Sequence, residues 1–379
     1  MLYRFIDLHG TFIVRGAHRF QWYVPLTNPE GTILSAIGPN LSGDIKTDND
    51  HFLTVPASIE DMRSSPLCRR DFFVRAGARL YRLSEGPVAL QETGLLYQKL
   101  VKRCGPLDVT ILNFVPAGHA AEVMRVTIRN RSSHNLAITP TSFIPLYGRS
   151  EKNLRDHRHV SSLLNRIELD RHGILLKPTM VFDEKGHTLN NTIYYCFGYG
   201  PGGSAPEGQF PTLDSFYGRG DIFHPDAVER KVAPMSARDP SLDGKEACAA
   251  LRFKSALLRP GQESSYVLVL GIAGSKGSIA RAVRALRTSE LVDKNLVRTR
   301  QCWQDHLSAL SFDFGDTQFN GWLIWVSLQP TLRRIFGCSF LPHFDYGKGG
   351  RGWRDLWQDA LTLLLTEPQK ARRIIERSF

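Results

Sequence analysis

The feature that most constrains this chain is a change of period. From Asp108 to Ile272 the apolar residues recur at strand spacing, and after Gly277 they recur at helix spacing. Asp108–Val115 and Glu122–Asn130 alternate or run apolar over strand lengths. Arg131–Asn135 is a polar turn, after which Leu136–Thr139 reads as the hairpin partner of the second run. Further strands are expected at Asn191–Gly198, Ala249–Leu258 and Ser265–Ile272. Glycine and proline punctuate between them, and residues 200–215, with Gly200-Pro201-Gly202-Gly203-Ser204-Ala205-Pro206, read as a loop. Many strands without intervening helical periods predict an antiparallel sandwich or barrel.

Ser278–Leu286 is helical by propensity and period. A second helix is expected over Asp293–Leu310, carrying Leu296, Val297, Trp303 and Leu307. Asp316-Thr317 can cap a third, running through Asn320, Trp322, Leu323 and Trp325 towards Arg334, and a fourth begins near Trp353. Trp322 and Trp325, three apart, read as core. The fold class is thus mixed, β then α: an antiparallel β-sandwich over residues 1–272, a helical linker over 273–315, and the first helices of an all-α domain over 316–379.

Composition closes off several classes. Hydrophobic residues make up 42% and charged ones 22%, the balance of a folded chain. No window is apolar for the length of a bilayer span, and Met1–Asp7 meets an acidic residue where a leader peptide keeps an apolar core. No membrane association and a cytoplasmic location are expected. The six cysteines form no C-x-x-C pair and read as free thiols, with no metal site. The net charge of +11 is scattered, without a run of five basic residues, so nucleic acid is not the expected partner; small anions such as phosphate are.

Two stretches match G-x-G-x-x-G literally. Gly198, Gly200 and Gly203 lead into Ser204-Ala205-Pro206-Glu207-Gly208, which cannot open a dinucleotide-binding helix. Gly347, Gly349 and Gly352 precede a helix but lack the strand of a βαβ unit. Tyr147–His159 reads either as a loop that reaches a ligand or neighbouring domain, or as a solvated loop, and Asp214–Asp221 reads either as a similar loop or, by a small margin, as a surface turn.

The densest chemistry lies in Gly347–Asp359. On a helix, Asp355 and Asp359 share a face, Arg354 and Gln358 an adjoining stripe, and Trp353 and Trp357 another. The set offers fork-shaped donors, carboxylate acceptors and flat rings. A sugar needs that mixture, having hydroxyls around its rim and C–H groups on its faces.

The run Gly350-Arg351-Gly352-Trp353-Arg354-Asp355-Leu356-Trp357-Gln358-Asp359 resembles the R-D-x-x-Q-D signature of the cellobiose phosphorylase family of inverting glycoside phosphorylases, glycoside hydrolase family 94-like. Asn320-Gly321-Trp322-Leu323 resembles the N-x-W-L that opens that family's first barrel helix. Ser215–Gly220 with Pro225-Asp226-Ala227-Val228 resembles a family loop ending in P-E/D-A-V. The resemblance implies a β-sandwich, a helical linker, an (α/α)6 barrel and a jelly roll, assembled as a homodimer. It implies cleavage of a β-glycosidic bond by inorganic phosphate as co-substrate, without metal or cofactor, to give an α-sugar 1-phosphate with inversion. An inverting glycosidase needs an acid and a base; phosphate is already an anionic nucleophile, so one protonated carboxyl and a phosphate pocket suffice.

Carried over, Arg354 and Asp355 match the pair that grips the non-reducing sugar, Gln358 and Asp359 complete the signature, and Trp353 and Arg351 support it. The family's general acid is an aspartate well beyond this signature, and Asp313, Asp316 and Asp345 do not match it. No catalytic residue is therefore assigned in this chain. It is expected to be an N-terminal fragment with a truncated barrel, inactive alone, whose general acid lies downstream of Phe379. Relatives handle cellobiose, cellodextrins, laminaribiose, chitobiose and β-1,2-linked glucans, and the acceptor stays open. Two other readings stand: a non-catalytic carbohydrate-binding β-sandwich, and nucleic-acid binding resting on charge alone.

Overall fold

The computed structural model describes residues 2–20, 22–183, 186–230, 232–236, 239, 242–336 and 352–377. It is an antiparallel β-sandwich followed by helices. Its spine is a 10-stranded sheet, in the order Tyr3–Phe5, Phe12–Arg15, Val88–Gly94, Tyr97–Cys104, Leu107–Phe114, Ala121–Asn130, Glu263–Ala273, Ile193–Tyr199, Gly173–Pro178, Asn165–Asp170. Against it lies a 6-stranded sheet, running Gly208–Thr212, Ala247–Arg252, Leu136–Pro145, Asp71–Ala76, Arg79–Arg82, with Ala256–Leu258 alongside Leu136–Pro145. A 4-stranded sheet (Val24–Leu26, Leu34–Ile37, Ile45–Asp48, His51–Phe52) closes one end. The helices are α1 Ile59–Ser64, α2 Arg158–Ser162, α3 Leu213–Tyr217, α4 Asp226–Glu229, α5 Lys276–Leu286, α6 Ser289–Leu307, α7 Thr317–Phe336, α8 Trp353–Leu363 and α9 Pro368–Glu376.

Period two explains the layering. Along Ala121–Asn130 the even positions Met124, Val126 and Ile128 enter the core between the sheets, while Ala121 and Val123 join a second core under α5 and α6. Strands buried on both faces lose clean alternation, which is why several read as apolar runs.

Four sequence expectations change, the first being Trp322, which lies exposed on α7 rather than in the core. Leu136–Thr139 is not the hairpin partner of Glu122–Asn130. That strand pairs instead with Leu107–Phe114 and Glu263–Ala273, and Leu136–Pro145 crosses into the second sheet, beside Asp71–Ala76 and Ala247–Arg252. Asn130 holds the crossing: its Nδ2 donates to His134 O (2.7 Å) and Leu258 O (2.9 Å), and its Oδ1 accepts from Ser132 N (2.9 Å). The supposed loop at 200–215 contains the strand Gly208–Thr212 and the start of α3, capped reciprocally by Thr212 and Ser215. Tyr147–His159 is packed on its own chain: Arg149, Ser150, Glu151 and Asn153 are buried, and Arg149 Nη2 donates to Asn165 Oδ1 (3.1 Å).

The helices are fastened to the sandwich. The hairpin tip Leu95-Leu96 inserts beside Trp303 of α6 and Leu328 and Leu332 of α7. Leu96 sits there fully buried with φ 55, a left-handed conformation that a bulky side chain adopts only when its surroundings enforce it. At the other end of α7, Gln318 exchanges hydrogen bonds with both backbone groups of Phe5 (2.9 and 3.1 Å), and Trp325 Nε1 donates to Gly10 O (2.7 Å). Gly321 lets the Phe5 ring lie on the helix, where a Cβ would come within 2.4 Å of it.

Inside the sandwich one ion pair is fully buried. Arg70 Nη2 donates to Glu122 Oε2 (3.1 Å) and Ser35 Oγ (2.6 Å), and Nη1 donates to Gly43 O (3.2 Å). Arg70 Nε also lies 2.7 Å from Glu122 Oε1, a close contact of opposite charges rather than an aligned hydrogen bond. Glu122→Ala leaves a buried guanidinium uncompensated and is expected to lower the unfolding free energy by about 3–5 kcal/mol. Arg70→Met together with Glu122→Leu removes both charges and is expected to restore most of that loss. Urea denaturation of the three chains checks this; a loss under about 1 kcal/mol for Glu122→Ala contradicts it.

Candidate functional site

α8 opens at Gly352 without a side-chain cap, so its first N–H groups carry no intrahelical partner. The signature residues occupy its first two turns. Trp353 is 67% exposed, and its ring stands edge-on to Trp357 at 5.7 Å and 84°. Arg354 is exposed and lies over its neighbour, with Nη2 3.0 Å and Nε 3.2 Å from Asp355 Oδ1. Asp355 is half-buried and Gln358 exposed. These residues form one open polar and aromatic surface. Arg351, and the glycines from Gly347 to Gly350, lie outside the described residues.

Asp359, four residues after Asp355, is in different surroundings. It is 5% exposed, and its Oδ1 accepts from Arg333 Nε of α7 at 2.7 Å. The two carboxylates share a helix side, but one faces the open surface while the other joins α8 to α7. A second tie follows at the α8–α9 turn. Buried Glu367 accepts from Thr331 Oγ1 (2.9 Å), lies 3.3 Å from Arg334 Nη2, pairs with Lys370, and has His306 Nε2 at 3.5 Å. Burial alone pushes the Glu367 carboxyl up; the Lys370 hydrogen bond, the Arg334 charge and the Thr331 hydroxyl outweigh it and hold it below the usual glutamate range. Burial pushes the His306 imidazole down, despite Glu367 beside it.

The positioning residues Arg333, Thr331, His306 and Glu367 were not legible in the sequence. Their partners lie on other helices, with no local spacing to mark them. The arrangement presents an Arg donor fork, a carboxylate acceptor and an indole face on a helix whose far side is pinned. Pinning of this kind holds binding groups in place before a ligand arrives.

The sandwich carries a separate aromatic pocket of about 220 Å³, lined by His18, Arg19, Phe20, Trp22, Tyr23 and Arg63, among others. Burial pushes the Tyr23 phenol up to about 12, so it stays a neutral donor. Among the described residues, no helix is long and apolar enough to cross a membrane.

Comparison with known proteins places the middle of the chain in a family. The model of the glycosyl hydrolase 94 supersandwich domain matches residues 92–289. That span runs from the strand Val88–Gly94 to the first residue of α6. The chain is 28% identical over 301 residues to the cyclic beta-(1,2)-glucan synthase NdvB of Rhizobium meliloti, covering 76% of this chain and 10% of that protein. It is 25% identical over 287 residues to the N,N'-diacetylchitobiose phosphorylase of Vibrio proteolyticus, covering 74% of this chain and 34% of that protein. The chain thus spans about a third of that phosphorylase. A solved bacterial glucoamylase complexed with acarbose aligns with 93% of this chain and 41% of its own at 10% identity, with a TM-score of 0.47, too slight a likeness to build on.

Arg333 bonds the nearly buried Asp359 and so joins α8 to α7. Arg333→Ala is expected to cost about 1.5–3 kcal/mol of stability, and Arg354→Ala, on an exposed side chain, less than about 0.5 kcal/mol. Thermal denaturation of both variants checks the contrast; equal losses contradict it.

Proposed function

Because the chain belongs to the glycosyl hydrolase 94 family, through the supersandwich domain at its centre, we propose that it forms the N-terminal part of a glycoside phosphorylase. Members of this family are glycoside phosphorylases, and N,N'-diacetylchitobiose phosphorylase is the activity named for one relative. The proposed reaction transfers a sugar from a β-linked gluco-disaccharide or oligosaccharide to inorganic phosphate. A phosphate oxygen bonds to the anomeric carbon as the glycosidic C–O bond breaks, a general acid protonates the leaving oxygen, and the product is an α-sugar 1-phosphate. Phosphate is the co-substrate, and no metal or cofactor is needed. The assembly is a homodimer in the cytoplasm, and α7–α9 open an (α/α)6 barrel.

The observation that carries this reading is the α8 surface. Arg354 and Asp355 would fix hydroxyls of the non-reducing sugar, Gln358 would donate beside them, and the Trp353 face would take ring C–H groups. Hydrogen bonds that strengthen as the ring gains positive charge stabilise the transition state more than the ground state. Asp359 completes the signature and, through Arg333, ties the helix to α7. Proton transfer is assigned to no residue of α8.

A second reading draws on the aromatic pocket of the sandwich: carbohydrate binding by the β portion without catalysis. The test of the first is phosphorolysis by the whole protein. It is incubated with orthophosphate and, in turn, chitobiose, cellobiose, laminaribiose and a β-1,2-linked glucobiose, and ³¹P NMR follows the products. One of these is expected to yield an α-sugar 1-phosphate, with Arg354→Ala and Asp355→Ala each losing about 10²-fold or more in rate. No sugar phosphate from any β-linked substrate, or full activity in both variants, overturns the reading.

A further inference from the structure

α5 covers the middle of the 10-stranded sheet's outer face but stops short of its last strands. There the edge strand Asn165–Asp170, the end of Ile193–Tyr199 and the exposed flank of α5 enclose a cleft of about 420 Å³. Its floor is apolar and aromatic: Leu175, Phe197 and Tyr199 belong to the core on which Ile279, Ala282 and Leu286 seat the helix. The His172 ring stacks on Tyr199 at 4.9 Å and 26°, so one side of the cleft ends in a flat double plate.

The charges around this cleft do not cancel. Glu168 is taken up by Lys177 and by Lys276, whose Nζ lies 2.8 Å away. Asp170 Oδ1 accepts from the backbone N–H of His172 at 2.9 Å. Arg284 on α5 and Arg287, the residue just past its end, both line the cleft, and neither has an ion-pair partner among the described residues. Two guanidinium forks thus stand over an apolar floor with their charge unanswered. Such forks match the oxygens of a phosphate in a way that a point-charge ammonium does not. The Asp170 carboxylate, which also lines the cleft, keeps its second oxygen able to accept from a hydroxyl group, and the volume lies within the ordinary range for small-molecule sites.

We propose that this cleft binds a phosphate monoester carried on a sugar ring, a hexose phosphate, with Arg284 and Arg287 on the phosphate and the Tyr199–His172 plate against the ring. The site shares no residue with α8 and stands whether or not α8 grips a sugar. Its walls are preformed: Ile279, Ala282 and Leu286 are nearly inaccessible, and Ser275 caps the helix through Ser278 N. Binding costs little ordering beyond the two arginine side chains.

The experiment is isothermal titration of the full chain with α-glucose 1-phosphate at low ionic strength, with inorganic phosphate titrated in parallel. The expected result is one site, tighter for the sugar phosphate than for phosphate alone and weakened by added salt. Arg284→Ala with Arg287→Ala is expected to reduce affinity at least about tenfold, and Ala280→Trp, which fills the cleft from its exposed wall, to abolish binding. Arg354→Ala is expected to leave it unchanged, which separates this site from α8. All the substituted positions are exposed, so each variant should retain the parent's melting temperature. No binding of the sugar phosphate, binding indifferent to the arginine pair, binding lost in Arg354→Ala, or equal affinity for inorganic phosphate overturns the proposal.

Discussion

Burial of Arg70 and Glu122 with no exposed surface on either side chain is the constraint from which the sandwich follows. A charge removed from water must be paired and hydrogen-bonded, and the partners here come from every layer. Glu122 belongs to the 10-stranded sheet, Arg70 directly precedes a strand of the 6-stranded sheet, and Ser35 lies in the 4-stranded sheet. The carbonyls of Gly43 and Asp44 take up further guanidinium protons (3.2 and 3.3 Å). The guanidinium bonds Glu122 of one sheet and Ser35 of another at once, so the pair ties the sheets together. Lys102 repeats the principle at the sheet border. Buried, it donates to the carbonyls of Leu83 and Glu85, and burial pushes its ammonium down to about 8.

From that frame the path to α8 is continuous. The sheet positions the hairpin tip at Leu95-Leu96; the tip wedges between α6 and α7; and Arg333 and Glu367 transmit the position of α7 to α8 and α9. The links at Leu96, Trp303, Leu328, Asp359 and Glu367 are buried and Arg333 is half-buried, leaving the stripe of Trp353, Arg354 and Gln358 as the open end of this chain of contacts.

What was legible in the sequence follows the range of the interaction. Strands such as Ala121–Asn130 and Glu263–Ala273 announce themselves through alternation, and α5 to α8 through their period, because both signals are local. The helix stripe of the signature was equally readable, since residues four apart must share a side. The partner of Leu136 was not. A polar turn between two strands looks the same whether it closes a hairpin or arches between sheets, and the deciding contact is Asn130 with Leu258, far along the chain. Asp359 shows the same limit: spacing put it beside Asp355, and its bond to Arg333, from another helix, could not be read from the sequence.

The six tryptophans offer the most direct measurement, because each indole N–H gives its own NMR signal and they are divided between the two readings. Titration of the chain with a β-linked disaccharide is expected to shift the signals of Trp353 and Trp357 on α8, leaving Trp22 in the sandwich pocket and buried Trp303 unmoved. Shifts confined to Trp22, with the α8 pair silent, would contradict the account and move sugar recognition to the β-sandwich.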